Sequence, residues 1–288
     1  MTDYGHDLRF GVNVLPAAGQ PEAVIGLAQL AERAGADLVT FQDHPYHPGF
    51  LDTWTLLSFV AARTERVRLA GNVHPLPLRP PAVLARAAAG LDVLSGGRFE
   101  LALGAGGYWD AIEAMDGPRR TPGEAVEALE EAIAIVRATW AVDEPGGVRV
   151  DGRHHRVAGT ARGPRPAHAM ELWLGAYGPR MLRLTGRLAD GWLPSLPALK
   201  PGALATGNKI VDEAAAAAGR DPAAIRRLLN LGGELPAQVL AELALADGVS
   251  TFILMTGDPA VVRRYLDETA PRVRVLVADA RRLSAGGS

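Results

Sequence analysis

The 288-residue sequence contains no cysteine, which excludes disulfides, thiolate nucleophiles and cysteine-ligated metals. It also lacks a charge excess of either sign: 30 Lys and Arg against 32 Asp and Glu leave a formal net charge of −2. Neither a basic nucleic-acid footprint nor a polybasic membrane anchor is expected from such a balance. Long apolar runs are missing as well, and none reaches the roughly 18 residues needed to span a bilayer. The first ten residues are polar and mix acidic with basic side chains, unlike a secretory signal. Together these absences predict a soluble, cytoplasmic chain that has neither nucleic acid nor membrane as a partner. What is there is ordinary: 48% apolar and 22% charged residues, enough to bury a large core without staples.

The main positive signal is alternation of short apolar strands with longer amphipathic helices. Strands are expected over residues 8–14 (LRFGVNV), 38–44 (LVTFQDH), 67–73 (VRLAGNV) and 99–106 (FELALGAG), followed by helices over 21–34, 52–63, 81–94 and 122–140. After an interruption, strands return at 171–177 (ELWLGAY), 192–196, 225–232 and 251–256 (TFILMT). Helices follow over 179–188, through the alanine run 214–218, and over 236–246 and 258–269. Nearly continuous apolar strands imply a parallel sheet buried on both faces. Eight βα units predict an α/β fold of the (β/α)8 TIM-barrel type, one domain over 1–288. Residues 142–165 break the alternation and read as a hairpin insertion between helix four and strand five that covers part of the barrel mouth, with a domain linker as the alternative. Residues 284–288 read as a disordered tail.

In such a barrel, functional groups sit at the C-terminal strand ends and in the loops that follow. Those positions hold Gln42-Asp43-His44-Pro45 with Tyr46 and His47, then Asn72-Val73-His74-Pro75, then the run from Gly104 to Asp110, then Gly175 to Arg180. Asp43 and His44 stand out, because an imidazole titrates near neutrality and can take or give a proton. The plainer alternative makes Asp43 a loop cap and His44 a satisfied rim residue. His44, His47 and His74 with Asp43 are also weighed as metal ligands, but the first strand offers no histidine pair, so no metal is expected. Gly178-Pro179-Arg180, at a strand-to-helix junction, is a candidate phosphate seat built from exposed N–H groups and a nearby guanidinium. An ordinary capped junction is the alternative. Tyr46, His47, Phe50, Trp54, Tyr108 and Trp109 could line a partly aromatic pocket, and His47 and His74 each read as structural or substrate-facing rather than catalytic.

The order of motifs resembles the bacterial luciferase-like monooxygenase superfamily of flavin- and deazaflavin-dependent barrel oxidoreductases. The stretches that carry it are FQDHPY, VRLAGNVHPLPLRPPAVLARAAAGLDVLSGGRFELALGAG, RRTPGEAVEALEEAIAIVRATW and LWLGAYGPRMLRLTGRLADGWLPS. The resemblance implies a bulge at Asn72-Val73, often with a non-prolyl cis peptide, behind an isoalloxazine-like ring. It implies Ala105 and Gly106 close to the cofactor and Asp110 near its polar tail. Tyr177, Gly178, Pro179, Arg180 and Met181 would hold the phosphate. Asp43 would touch the ring, and His44 would handle the proton. The Asp43-His44 and Gly178-Pro179-Arg180 motifs favour coenzyme F420 and hydride transfer to or from a small organic substrate. FMN with oxygen is the alternative cofactor chemistry, and a separate flavin or F420 reductase is then a partner to consider. A non-catalytic flavin-binding barrel is a further alternative. There is one departure: sugar-phosphate dehydrogenases of the deazaflavin branch carry a glutamate where Gly107 stands, so the second proton-transfer group is unassigned. The resemblance also implies a homodimer built on the first helices, although Leu56, Leu57, Phe59 and Val60 read equally well as core.

Overall fold

The computed structural model describes residues 2–286. Its chain runs β1 (Arg9–Val14), α1 (Pro21–Arg33), β2 (Leu38–Phe41), α2 (Thr53–Ala61), β3 (Arg68–Gly71), β4 (His74–Pro75), α3 (Pro81–Ser95), β5 (Leu101–Gly104), α4 (Trp109–Ala114) and α5 (Pro122–Trp140). It continues with β6 (Val148–Asp151), β7 (Arg156–Thr160), β8 (Leu172–Leu174), α6 (Pro179–Leu188), β9 (Gly191–Trp192), α7 (Ala203–Ala217), β10 (Arg226–Leu231), α8 (Ala237–Asp247), β11 (Val249–Met255), α9 (Pro259–Arg264) and α10 (Ala270–Gly286).

The main sheet has the strand order β3-β2-β1-β11-β10-β9-β8-β5-β4, with every pairing parallel. It closes on itself where Leu69 bridges to Phe99: the Leu69 N–H donates to Arg98 O at 2.8 Å and the Glu100 N–H to Leu69 O at 2.9 Å. The β4 stub continues β3 beyond an interruption at Asn72-Val73, so the closed sheet is an eight-stranded (β/α)8 barrel.

Two apolar layers hold it. Leu38, Ala70, Ala102, Trp173, Leu193, Leu228 and Ile253 form the barrel interior, while the larger cluster packs the strands' outer faces under the helices. Gly191 has no side chain because Trp173 lies there, 2.5 Å from where a Cβ would stand. The helices carry the expected boundary chemistry. Thr121 and Glu124 make a capping box ahead of α5, with Pro122 at its first position. α3 and α8 end on the left-handed Gly96 and Gly248.

The insertion between α5 and β8 is the expected hairpin, β6 pairing antiparallel with β7. Glu131 of α5 docks its turn, accepting the N–H groups of Arg153, His154 and His155 at 2.8, 2.9 and 2.8 Å. A Cβ at Gly152 would collide with that carboxylate.

The expected end of the last helix at residue 269 is corrected. A single π turn, Tyr265–Thr269, leads into α10. Pro271 has no N–H to give, and widening the turn before it lets the helix continue. Ser284 is helical, contrary to a disordered tail, and Gly287 and Ser288 lie outside the described residues. Arg281 grips Asp3 at 2.8 Å and Arg274 grips Asp37 at 2.8 Å, tying α10 to the start of the chain. No helix among the described residues is long and apolar enough to cross a membrane.

Candidate functional site

Several barrel strands leave the ladder earlier at their C-terminal ends than apolar patterning predicts, whereas β1 runs to Val14 as expected. β2 stops at Phe41 rather than residue 44, β5 at Gly104 rather than 106, and β8 at Leu174 rather than 177. The released residues line a cavity of about 520 Å³ at the barrel mouth, among them Gln42, Asp43, His44, Tyr46, Asn72, Val73, Gly106, Tyr108, Gly178 and Met181.

The cavity floor is a layer of uncharged polar side chains drawn from several strands. Thr40 Oγ1 donates to Asn13 Oδ1 at 2.8 Å. Asn72 Nδ2 donates to Thr40 Oγ1 at 3.2 Å and to Asn230 Oδ1 at 2.7 Å, and Asn230 Nδ2 returns a bond to Asn72 Oδ1 at 3.0 Å. Asn230 also reaches Ser195 Oγ at 3.2 Å. This reciprocal amide pair holds Asn72 where the chain bulges, and the Asn72–Val73 peptide is cis. Val73 then stands between two glycines. A Cβ at Gly104 would lie 2.9 Å from Val73 Cγ2, and one at Gly175 3.1 Å. Asn13, Thr40, Ser195 and Asn230 were not singled out from the sequence, because lone Asn, Thr and Ser residues inside apolar strands carry no motif.

His44 is half-buried on the cavity wall. Its ring stacks on Tyr46 at 5.3 Å and meets Tyr108 edge-on at 5.2 Å. Gln42 Nε2 lies 3.1 Å from His44 Nδ1, and Thr53 Oγ1 donates to the Gln42 carbonyl at 2.7 Å, fixing that turn. Burial pushes the His44 imidazole below its ordinary value, against the attraction of Asp43. Burial pushes the Tyr46 phenol up to about 12, so it stays protonated.

Asp43 is almost fully buried. Its Oδ2 accepts from His74 Nδ1 at 2.6 Å and from Arg79 at 3.3 Å, while its Oδ1 has no partner. His74 is corrected as a substrate-facing residue. It is wholly buried behind the wall between Trp54 and Phe99, and fills space that a Cβ at Gly71 would occupy. The short β4 ladder turns it away from the mouth. His47, Phe50, Trp54 and Trp109 do not line the cavity either. His47 is exposed and stacks on Phe50 at 3.9 Å, Trp54 packs on His74, and the Trp109 ring backs Gly106 at 2.8 Å from where its Cβ would stand. The three weighed histidines thus point in different directions.

The α6 junction divides in the same way. Tyr177, Gly178 and Met181 line the cavity. The first intrahelical bond is Leu182 N–H to Gly178 O at 3.0 Å, so the Arg180 and Met181 N–H groups precede it and remain available at the helix's positive end. The Arg180 side chain is corrected as a cavity group: it is 59% exposed and leans 3.8 Å from Glu127 on the outer face of α5. The second helical position simply points outward there, as does Pro179. Asp110 is likewise corrected. It is 96% exposed, on the first turn of α4, and paired with Arg119.

The model of the luciferase-like monooxygenase family matches residues 4–232. A phthiodiolone/phenolphthiodiolone dimycocerosates ketoreductase of Mycobacterium kansasii is 37% identical over 199 residues, covering 66% of this chain and 50% of that protein. The chain thus spans about half the length of that relative. An F420-dependent glucose-6-phosphate dehydrogenase of Nocardia farcinica is 31% identical over 236 residues, covering 78% of this chain and 68% of the relative. Among solved structures, an F420-dependent secondary alcohol dehydrogenase bound to an F420-acetone adduct superposes with a TM-score of 0.79 at 17% identity, covering 93% of this chain and 99% of that one. The monooxygenase RslO1 of Streptomyces bottropensis also superposes with a TM-score of 0.79, at 20% identity, covering 92% and 99%. These last two likenesses speak to the fold alone. With most of its length matched by the family model, the chain belongs to the luciferase-like monooxygenase family.

Proposed function

We propose that the chain is an oxidoreductase that uses coenzyme F420 to pass a hydride to or from a small carbonyl or alcohol substrate, with His44 as proton donor or acceptor. The observation that carries this reading is the cavity itself. It combines a glycine-edged apolar ledge at Val73, above the polar floor, with a half-buried imidazole, in a family whose relatives include proteins named for F420.

The residues present fit such a group. Val73, Ala105 and Gly106 would hold the flat ring system, and the orphaned Asp43 Oδ1 would accept from it. Tyr177, Gly178 and Met181, with the two free N–H groups of α6, would hold its phosphate. When bound, the coenzyme supplies two-electron hydride chemistry at a ring carbon, without oxygen activation.

His44 is neutral at pH 7 and takes the hydroxyl proton when an alcohol is oxidised, or returns it to the oxygen when a carbonyl is reduced. Tyr46, kept protonated, donates a hydrogen bond to the same oxygen, a positioning role that is distinct from the proton transfer of the carboxylate absent at Gly107. Asp43 acts by holding the wall through His74 and Arg79 as well as by its free oxygen. A single domain over 1–288, a homodimer and a cytoplasmic setting complete the proposal.

The deciding experiment titrates the apoprotein with F420 and, separately, with FMN, followed by fluorescence. Tight binding of F420 alone is expected. Preference for FMN would replace this reading with oxygen-dependent monooxygenation served by a separate reductase.

A further inference from the structure

A second cavity, of about 460 Å³, lies behind the first and shares no lining residue with it. The wall between them is thin: Gly106 lines the first, and a Cβ there would stand 2.9 Å from Pro77, which lines the second. The second cavity, open to solvent, is lined by the segment after β4, the end of α4 and the hairpin turn held by Glu131.

Its polar lining is dominated by nitrogen-bearing side chains: Arg79, Arg120, Arg156, His154 and His155 line it with one carboxylate, Asp116. Arg156 is paired with Asp151 and His154 with Glu127, which leaves Arg79, Arg120 and His155. Six buried side-chain polar atoms among the described residues lack a hydrogen-bond partner, and three belong here: Arg79 Nε, Arg120 Nη1 and His155 Nε2. Unsatisfied buried donors are costly, and such a group commonly marks a missing partner. Glu131 lends its charge to Arg120 and His155, but its oxygens accept the three N–H groups of the hairpin turn and partner none of these orphan atoms. Burial and the Arg120 charge both push the His155 imidazole down, against the attraction of Glu131.

We infer that this cavity is a binding site for a small oxyanion, a phosphate or carboxylate group, held by Arg120, His155 and the free edge of Arg79. This assignment does not rest on the F420 reading. The Arg79 guanidinium contacts Asp43 and Asp52 with its Nη2, so an anion on its Nε edge would lie one residue away from the wall of the first cavity.

The test is calorimetric titration of the purified protein with inorganic phosphate and with citrate, each at constant ionic strength. Arg120→Gln and His155→Gln are titrated in parallel, with thermal melting in anion-free buffer confirming that each is folded. The expected result is saturable binding to the unaltered protein, weakened at least tenfold in both variants and unchanged in Arg180→Gln at the α6 junction. Binding of phosphate alone would identify a phosphate head, and binding of citrate as well a general oxyanion site. No saturable binding of either anion, binding that survives both substitutions, or binding lost with Arg180 would overturn the assignment.

Discussion

The two ends of the barrel solve opposite problems. At the N-terminal end, charges are buried and saturated. Arg227 in β10 donates to Asn208 at 2.7 Å, to the Ile225 carbonyl at 2.6 Å, to Tyr4 at 3.0 Å and to Asp212. Arg68, Glu100, His168 and Asp92 form a second closed set, with His168 bonded to Asp92 at 2.9 Å and to Glu100 at 3.2 Å. At the C-terminal end the floor is uncharged, and five of the six buried orphan atoms belong to residues in or behind its walls. Closed polar sets hold a structure together, whereas open ones leave work for something that binds. The same fold therefore spends its polar residues on stability at one end and on recognition at the other.

That contrast can be broken most forcefully at the closed end. Arg227→Ala leaves Asp212 without its counter-charge and Asn208 Oδ1 without its donor, and should lower unfolding free energy by about 3–5 kcal/mol in denaturant melts. At the open end, His44→Ala should leave stability and F420 affinity nearly unchanged while cutting turnover by about 100-fold. In the unaltered protein, alcohol oxidation should fade on the acid side as pH drops through the depressed value of His44, and normal turnover in the alanine variant would remove His44 from the chemistry.

A subtler test sharpens the comparison through pH. Hydrogen bonding to Glu100 raises the His168 imidazole, and burial raises the Glu100 carboxyl. Both make the folded chain hold protons that the unfolded chain releases, so stability should fall as pH rises. The His168 contribution is complete below its ordinary value of about 6.5 and is lost as pH climbs through the raised one. Melting temperatures from pH 6 to 9 should decline, and His168→Gln should flatten the decline. The smallest effect belongs to Arg180→Ala, whose exposed side chain leans away from the cavity. F420 affinity should change less than about threefold, under 0.7 kcal/mol, and a large loss would show that the guanidinium swings inward.

Strand and helix placement was legible because the two periodicities differ and because glycine, proline and capping residues mark the ends. Helices α5 and α6 fall on the expected 122–140 and 179–188. Apolar patterning overextends the strands where the chain peels away into the cavity, since apolar and glycine residues there continue the pattern without continuing the ladder. His44, Tyr46, Val73 and Gly178 stand in the cavity wall where motif and strand end together had put them. Direction was what the sequence could not convey. One residue of offset turns His74 into the core, and one step along a helix turns Arg180 outward. The floor network of Asn13, Thr40, Asn72 and Asn230 joins positions up to 158 residues apart, a distance at which no local pattern exists.

The pairing of β1 with β11 also bears on how the chain is made. As it leaves the ribosome, its first strand waits with one edge unpaired until some 240 further residues have been synthesised. Such non-local closure folds slowly and leaves apolar edges exposed meanwhile. Synthesis that pauses before β11 should hand chaperones an open sheet whose mouth-forming loops exist but have no floor to stand on.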